Sequence, residues 1–340
     1  MIMGRMAIIS VLTLVFALTI IGYNINRRAT DAVKNYVGYH DHTCARDIAT
    51  SAVEIYLLKL KENPTLRGAF SISSIMGGSA VVNIVQLVTG SVDTLRMTSA
   101  GTYNTVHDTV VNKLVGVPIK VPPISGAVGM STGRSASITI SGNAQTSGVD
   151  KNPDGTPVSP ADSVAGIAIN LTSPSGNISV AATAKVTGNG SVSPDTERVA
   201  SLPDYTSFAD QMIRLATVYS GQTFSSSSPP LGTDSNPQIS YITGNSMMTG
   251  TFSGSGILII NGNLTMSGQF SFHGLIIAYG ETNISITTTG QSNVYGAVVL
   301  AGTNTSYTQS GNSIVQYSSS AIKNVANKTV GKYLIADWWE

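Results

Sequence analysis

The chain opens on an uninterrupted apolar run. Met6–Tyr23 contains no charged side chain, with Arg5 before it and Arg27 after it. A helix crosses a bilayer core with ~17–25 apolar residues, whereas a secretory signal peptide has a shorter apolar region and a small-residue cleavage site. No good cleavage site follows this run. The pattern therefore predicts a retained single-pass membrane helix, with the bulk of the chain in the periplasm or outside the cell.

A helical pattern continues beyond this run. Apolar residues recur at steps of three and four from Ala45 to Leu60, which places them on one face of a helix. Asn63–Pro64 predicts the end of the helix, because the residue before a proline avoids the helical conformation. Residues 1–66 are therefore predicted to form one unit, a transmembrane helix that continues into an amphipathic stalk.

Short alternating runs replace the helical pattern in residues 67–125. Val81–Val88, Ser91–Met97 and Thr105–Val111 are rich in β-branched residues and are separated by glycine turns. They predict a small antiparallel β meander. The proline-rich stretch Pro118–Gly126 predicts the linker that ends this unit.

An internal repeat dominates the C-terminal half. The string Gly256–Gly262, four apolar residues in a glycine-bracketed frame, returns as Gly274–Gly280 and again as Gly296–Gly302. A second glycine series runs out of phase with it, at Gly268, Gly290 and Gly311. The spacing is roughly 18 to 22 residues, which is the size of one rung in a parallel β-solenoid. Stacking such rungs buries apolar strands that cannot bury themselves alone.

Residues 126–320 are therefore predicted to form the solenoid. Ile138–Asn143 resembles the repeats in its residue composition and is expected to form the first rungs. Leu202–Val218 has helical spacing and predicts an inserted helix, and residues 321–340 are expected to form a C-terminal cap or a mobile tail. The predicted fold class is α+β, with a long N-terminal helix, a small antiparallel sheet and a parallel β-helix with one inserted helix.

The composition narrows the function. Charged residues make up 11% of the 340-residue chain and the net charge is +1, which argues against a nucleic-acid partner because such proteins need a basic face. Glycine is abundant, at 34 residues, and the single cysteine excludes an internal disulfide. This turn-rich, weakly charged composition is typical of an extracytoplasmic structural protein.

One loop carries a calcium-binding pattern. Asp150, Asn152 and Asp154 fit D-x-N-x-D-G, in which oxygen side chains at alternate positions converge on a hard cation. The twelfth position of such a loop should be Glu, but Ala161 stands there. The alternative is a polar turn whose side chains cap their own backbone. Calcium is the one cofactor that the sequence suggests.

The densest group of potential metal ligands is His40, Asp41, His42, Cys44 and Asp47. A metal needs converging ligands from a second element, and no other region supplies an obvious His or Cys partner. The group is therefore interpreted as a solvated helix face, in which the cysteine is available to cross-link subunits.

Enzymatic activity is not expected. Glycoside hydrolysis needs paired carboxylates, and polysaccharide lyases need a basic residue beside bound substrate. Between Asp234 and Asp337 the sequence has one acidic residue, Glu281. The repeats therefore lack the ionisable groups for this chemistry.

Taken in order, the motifs resemble the PilX-like minor pilins, type IV pilus assembly proteins of bacteria. The resemblance lies in the anchor Arg5–Ile21, the stalk Ala45–Glu54, the S-x-G-x-Y signature within Thr98–Tyr103, the solenoid repeats, and the ending from Gln316 to Glu340. Pilins carry Glu at the fifth mature position. Counting from a leader that ends at Gly4, this chain has Ile9 there.

The resemblance implies a non-enzymatic component of a type IV pilus-like filament or of its assembly machinery, with a priming or tip role. Its partners would be other pilin-like subunits, contacted through the N-terminal helix, and the inner membrane. The alternative is a membrane-anchored surface adhesin that binds a glycan or another cell. A β-helical enzyme acting on polysaccharide is less favoured.

Overall fold

The computed structural model describes residues 2–64, 66–87, 93–158, 162–170, 175–190, 194–199, 201–328 and 330–339. Its helices are α1 (Ile2–Glu62), α2 (Tyr205–Ile213) and α3 (Ser319–Lys328). Its strands are β1 (Gly68–Ile75), β2 (Gly78–Leu87), β3 (Thr94–Tyr103), β4 (Val106–Pro118), β5 (Gly126–Ile140), β6 (Gln145–Ser147), β7 (Ala165–Asn170), β8 (Ser175–Val180), β9 (Lys185–Thr187), β10 (Thr196–Val199), β11 (Thr217–Ser220), β12 (Thr223–Phe224), β13 (Gln238–Thr243), β14 (Ser246–Met248), β15 (Thr251–Asn261), β16 (Leu264–Met266), β17 (Gln269–Tyr279), β18 (Asn283–Thr288), β19 (Asn293–Gln309), β20 (Ile314–Tyr317) and β21 (Val330–Trp339). Of the predicted strand residues, Val88 and Ser91–Val92 lie outside the described ranges.

The C-terminal part of α1 packs on an antiparallel sheet with the order β1-β2-β3-β4-β21, and we call this unit the head. Ile48 and Leu60 on the packed face of the helix are 0% and 1% exposed. Gly101 of β3 lies directly under the helix, where a Cβ atom would stand 2.1 Å from the carbonyl oxygen of Ala45. Glycine is therefore required at this position of the Thr98–Tyr103 motif for the helix to lie so close to the sheet.

The glycine-bracketed repeats stack as predicted. Strands β15, β17 and β19 pair in parallel, and Gly256 lies opposite Gly274, which lies opposite Gly296. The apolar residues that follow each glycine are fully buried and form a continuous column. The predicted stacking of these three segments is therefore confirmed, residue for residue.

The second glycine series forms a corner of the solenoid. Gly142 and Gly250 lie at the same corner as the three glycines of the series. All five have positive φ angles of 67–86°, a backbone conformation that glycine adopts at low cost: Gly142, Gly250, Gly268, Gly290 and Gly311. Each rung donates a backbone hydrogen bond across this corner to its neighbour, as in Gln269 N–H to the Gly250 oxygen at 2.9 Å. The corner thus continues the ladder of hydrogen bonds where the chain turns.

The spatial order of the rungs differs from their order in the sequence. Along one side of the solenoid the strands follow β11-β13-β15-β17-β19, and β5 then pairs with the other edge of β19, followed by β7 and β10. Ile138 of β5 therefore lies opposite Tyr307 of β19. As expected, Ile138–Asn143 belongs to the first rung in chain order, but this rung lies inside the stack and not at its end, because β5 pairs with β19 on one side and with β7 and β8 on the other.

Helix α2 connects the two parts of the solenoid, which are strands β5–β10 before the helix and strands β11–β20 after it. It follows β10 and precedes β11 at the far end, and it packs along β13, β17 and β19 between them. Asp204 caps its N-terminus by accepting a hydrogen bond from Ser207 N–H at 2.9 Å. The helix is shorter than the predicted Leu202–Val218, because Thr217–Ser220 pairs with β13 as an edge strand.

The C-terminal segment returns to the head. After α3, the strand β21 pairs antiparallel with β4, with Tyr333 opposite Gly116 and Trp338 opposite Asn112. This differs from the expected cap or tail over residues 321–340. The β-branched and aromatic residues of this segment suit a strand, and β21 pairs with the edge of β4 that β3 leaves open.

The α+β class is wrong for this chain, which is mostly β: the strands given above contain about twice as many residues as the helices. About three quarters of the helical residues lie in α1, which has 61 residues, whereas α2 and α3 have 9 and 10. The sequence underestimated the strand content because glycine- and serine-rich rungs carry only short apolar runs.

The expectation of a single-pass membrane protein is also contradicted. Within the part of the chain that the structure describes, no helix combines the length and hydropathy of a membrane span.

Candidate functional site: the projecting half of the N-terminal helix

Helix α1 divides into two parts with different surroundings. From Ala45 to Leu60 its apolar face is buried in the head, where Ala45, Ile48 and Ala52 are 0% exposed. From Val11 to Tyr39 the helix projects from the head, and its side chains are almost all exposed. At 1.5 Å per residue this projecting part is about 43 Å long.

The projecting part carries an unusual load of apolar side chains. Each of the following is at least 45% exposed: Val11, Leu12, Leu14, Val15, Phe16, Leu18, Ile20, Ile21, Tyr23, Ile25, Val33, Tyr36, Val37 and Tyr39. Soluble monomers rarely expose a contiguous apolar surface of this extent, and such surfaces mark interaction sites. Burying each side chain would contribute about 1.5–3 kcal/mol. This surface is therefore the strongest candidate for an interface with a partner.

Polar hydroxyls within this surface do not oppose apolar contact. Thr19 donates its side-chain hydrogen bond to the carbonyl oxygen of Val15 at 2.8 Å, and Thr30 donates to Asn26 at 2.9 Å. Hydroxyls bonded to their own helix need no solvent partner. Neither threonine therefore needs a hydrogen-bond partner outside its own helix.

The group of His, Cys and Asp residues lies where the projecting part meets the head. Cys44 is a free thiol whose sulfur is 3.7 Å from His40 Nε2, and Asp41 accepts a hydrogen bond from Asn104 at 3.2 Å. No cluster of three or more His, Cys, Asp or Glu side chains suited to a metal occurs among the described residues. His42 is exposed on the helix surface.

The structure separates the three residues of the predicted calcium loop. Asp150 is 1% exposed, and its carboxylate accepts hydrogen bonds from the backbone N–H and hydroxyl of Ser319, at 2.9 and 2.6 Å. It also accepts one from Asp162 N–H at 3.2 Å. Asp150 therefore caps the N-terminus of α3 across the solenoid, a role that no local pattern around Asp150 predicts.

The other two residues of the loop meet at Thr156. Asp154 accepts hydrogen bonds from its backbone N–H at 2.9 Å and from its hydroxyl at 2.6 Å, and Asn152 donates to that hydroxyl at 3.0 Å. These bonds with Thr156 lower the pKa of the Asp154 carboxyl below its ordinary value. The arrangement is that of the polar-turn alternative. Ala161 lies outside the described residues, and calcium binding stays a prediction.

A polar network at the base of the head was not predicted. Arg67 donates hydrogen bonds to Asp93 at 3.0 Å and to the Tyr333 hydroxyl at 2.9 Å, and Tyr333 donates to Asp93. Burial, followed by the hydrogen bond to Asp93, raises the pKa of Tyr333 to about 12. The network joins β21 to the turn after α1. Residues so far apart in the chain leave no local signal.

No protein-family model matches the chain, and no curated protein matches it significantly. Among solved structures, the chain is similar to the competence-associated pilin ComZ from Thermus thermophilus, with 9% identity and a TM-score of 0.24. The match covers 88% of this chain and 97% of the pilin.

Proposed function

We propose that the chain is a non-enzymatic, pilin-like subunit of a type IV pilus-like filament or of the machinery that assembles it. The observation that carries this proposal is the projecting part of α1, which has an apolar surface and no partner in the described structure. Long helices bury such surfaces by packing lengthwise against other helices. Other pilin-like subunits are the partners that this geometry suits.

The division of α1 supports a subunit role. The head fixes the C-terminal third of the helix rigidly, with Ile48, Ala49 and Leu60 in its core. The remaining part then extends in a defined direction, as a shared helical core of a filament requires. The solenoid lies beside the head and would be displayed on the outside of such an assembly.

The bulk of the solenoid favours a minor subunit with a priming or tip role. Strands β5–β20 form one stack of rungs on a single head. In a tightly wound filament, neighbouring subunits leave little space for a bulky domain on each subunit. A subunit at the tip has fewer neighbours, so the solenoid fits there without this restriction. The proposal of a structural role also rests on the scarcity of carboxylates on the rungs, where Glu281 is the single acidic residue between Asp234 and Asp337.

Filament incorporation tests the proposal. Filaments sheared from the cells that produce this protein would be purified, imaged with an antibody to the solenoid, and analysed by peptide mass spectrometry. Phe16→Asp places a charge on the projecting helix. It is expected to lower the amount of the protein incorporated into filaments at least tenfold, because an apolar interface does not accept an unpaired charge. The matched control Asn24→Asp alters an exposed polar residue of the same helix and is expected to leave incorporation intact.

Both variants should keep the thermal unfolding temperature of the wild type, since position 16 contacts nothing in the head. Absence of the wild-type chain from all filaments would contradict the proposal. Equal incorporation of Phe16→Asp would contradict the assignment of the interface to the projecting helix.

A further inference from the structure

A cleft of about 530 Å³ lies where the head meets the solenoid side of the molecule. Four separate segments form it: the end of α1 at Lys61, the linker after β4 at Lys120, the end of α2 at Arg214, and the start of β21 at Lys332. Its size is within the range of small-molecule sites, ~300–1,000 Å³. A ligand bound here would contact the head and α2 together.

The rim of the cleft is strongly cationic. The four cationic residues named above are all exposed, and the lining includes no acidic residue. They are a fifth of the chain's 19 lysines and arginines, in a protein with a net charge of +1. Within the described residues none of the four is in an ion pair. The cleft is therefore a local concentration of uncompensated positive charge.

The floor of the cleft is apolar. Phe208 and Met212 of α2 form part of it, and they are 6% and 7% exposed. Exposed cations alone hold a free anion weakly, because water screens the attraction. A ligand with an apolar body gains additional binding free energy by burying that body against the apolar floor, whereas a simple anion has no apolar surface to bury.

We propose that this cleft binds an amphipathic anion, with an aryl or acyl body on the Phe208–Met212 floor and a phosphate, sulfate or carboxylate group at the cationic rim. The inference is independent of the filament role. Both halves of the ligand are needed for binding, and the bound ligand joins head to solenoid. Binding therefore raises the thermal unfolding temperature, because it favours the folded state alone.

The proposal is tested with 2-naphthyl phosphate, which carries a bicyclic aryl body and a dianionic group. Isothermal titration calorimetry on the full chain is expected to show saturable one-site binding. Inorganic phosphate, which lacks the body, and 2-naphthol, which is neutral at pH 7, are each expected to bind at least tenfold more weakly. Equal binding of either fragment, or no saturable binding of 2-naphthyl phosphate, would overturn the proposal.

A pair of variants locates the site. The double variant Lys120→Gln/Arg214→Gln removes two rim charges and is expected to weaken 2-naphthyl phosphate binding about tenfold. The control Lys34→Gln/Lys185→Gln removes two exposed charges on the projecting helix and on β9, and binding should stay within about twofold of the wild type. Equal affinity of wild type and Lys120→Gln/Arg214→Gln would show that binding occurs elsewhere and would reject the cleft.

Discussion

At the scale of residues, the roles of Asp150 and Tyr333 follow from contacts that cross the whole chain. Asp150 bonds with Ser319, 169 residues away, and Tyr333 bonds with Asp93, 240 residues away. Each is part of a junction between segments that no local pattern connects. Their contributions are therefore testable by changing one side chain.

Replacing Asp150 with alanine is expected to destabilise the protein by roughly 2–3 kcal/mol, because it leaves the Ser319 hydroxyl and two backbone N–H groups without their charged acceptor. Asp154→Ala is the matched control, since that carboxylate is solvent-exposed and bonds within its own turn. Urea unfolding in EDTA measures both. Equal stability of the two variants would contradict the capping role. Urea unfolding of the wild type with calcium in place of EDTA tests the calcium prediction, because a cation bound by the folded state raises its stability.

The raised pKa of Tyr333 predicts that the stability of the folded chain depends on pH in the alkaline range. Burial and the bond to Asp93 raise its pKa to about 12 in the folded chain, from the ordinary value of 10.0. A raised folded pKa means that the neutral phenol contributes stability below pH 10, and that this contribution is lost as the pH rises from 10 to 12.

The stability advantage of the wild type over Tyr333→Phe is therefore expected to be constant up to about pH 9 and to shrink between pH 10 and 12. Chemical unfolding of both proteins across this range measures the difference. Comparison with Tyr333→Phe subtracts the other buried tyrosines, which titrate in both proteins. A difference independent of pH would contradict the network.

The calcium-binding pattern shows how much of a site a short sequence motif can predict. The spacing of Asp150, Asn152 and Asp154 was visible, but the choice between a cation loop and a turn depends on where each side chain points. The buried position of Asp150 is set by α3, which arrives from the other end of the chain. Sequence reasoning had no information about that neighbour.

At the scale of elements, the seam between β19–β20 and β5–β6 joins the two parts of the solenoid. Gln309 is fully buried there, donating to the carbonyl oxygens of Gln145 and Ser313, both at 3.0 Å. Its own oxygen accepts from Thr146 at 2.5 Å and from Tyr307 at 3.2 Å. One side chain thus satisfies four polar groups in the solenoid interior.

Gln309→Ala is expected to cost about 2–4 kcal/mol, because it leaves those groups unpaired and opens a cavity. Gln291→Ala removes an exposed glutamine from the neighbouring rung and should change stability by less than about 0.5 kcal/mol. Thermal and urea unfolding report both values. Similar effects of the two changes would show that the seam does not depend on the buried amide.

The stacking of the three glycine-bracketed repeats could be predicted from the sequence, but the spatial order of all the rungs could not. The strings at Gly256, Gly274 and Gly296 share a period and a glycine frame, so their register follows from the sequence itself. The pairing of β5 with β19 joins segments with no shared motif strong enough to fix their order. The strand β21 was missed for the same reason, since its partner β4 lies more than 200 residues earlier.

At the scale of the whole molecule, the chain joins a head, a solenoid and a projecting helix. The head and solenoid bury their own apolar residues in two separate cores. The projecting part of α1 does not, and its apolar side chains are exposed from Val11 onward. The central claim is that this surface is completed by the helices of other subunits.

Site-specific photocross-linking in the producing cells tests that claim most directly. A benzoylphenylalanine at position 16, on the projecting helix, is compared with one at position 81, which is exposed on β2 of the head. The account predicts that position 16 yields adducts whose peptides map to the N-terminal helices of pilin-like subunits, and that position 81 does not. Absence of adducts at position 16, or adducts with unrelated proteins alone, would contradict it.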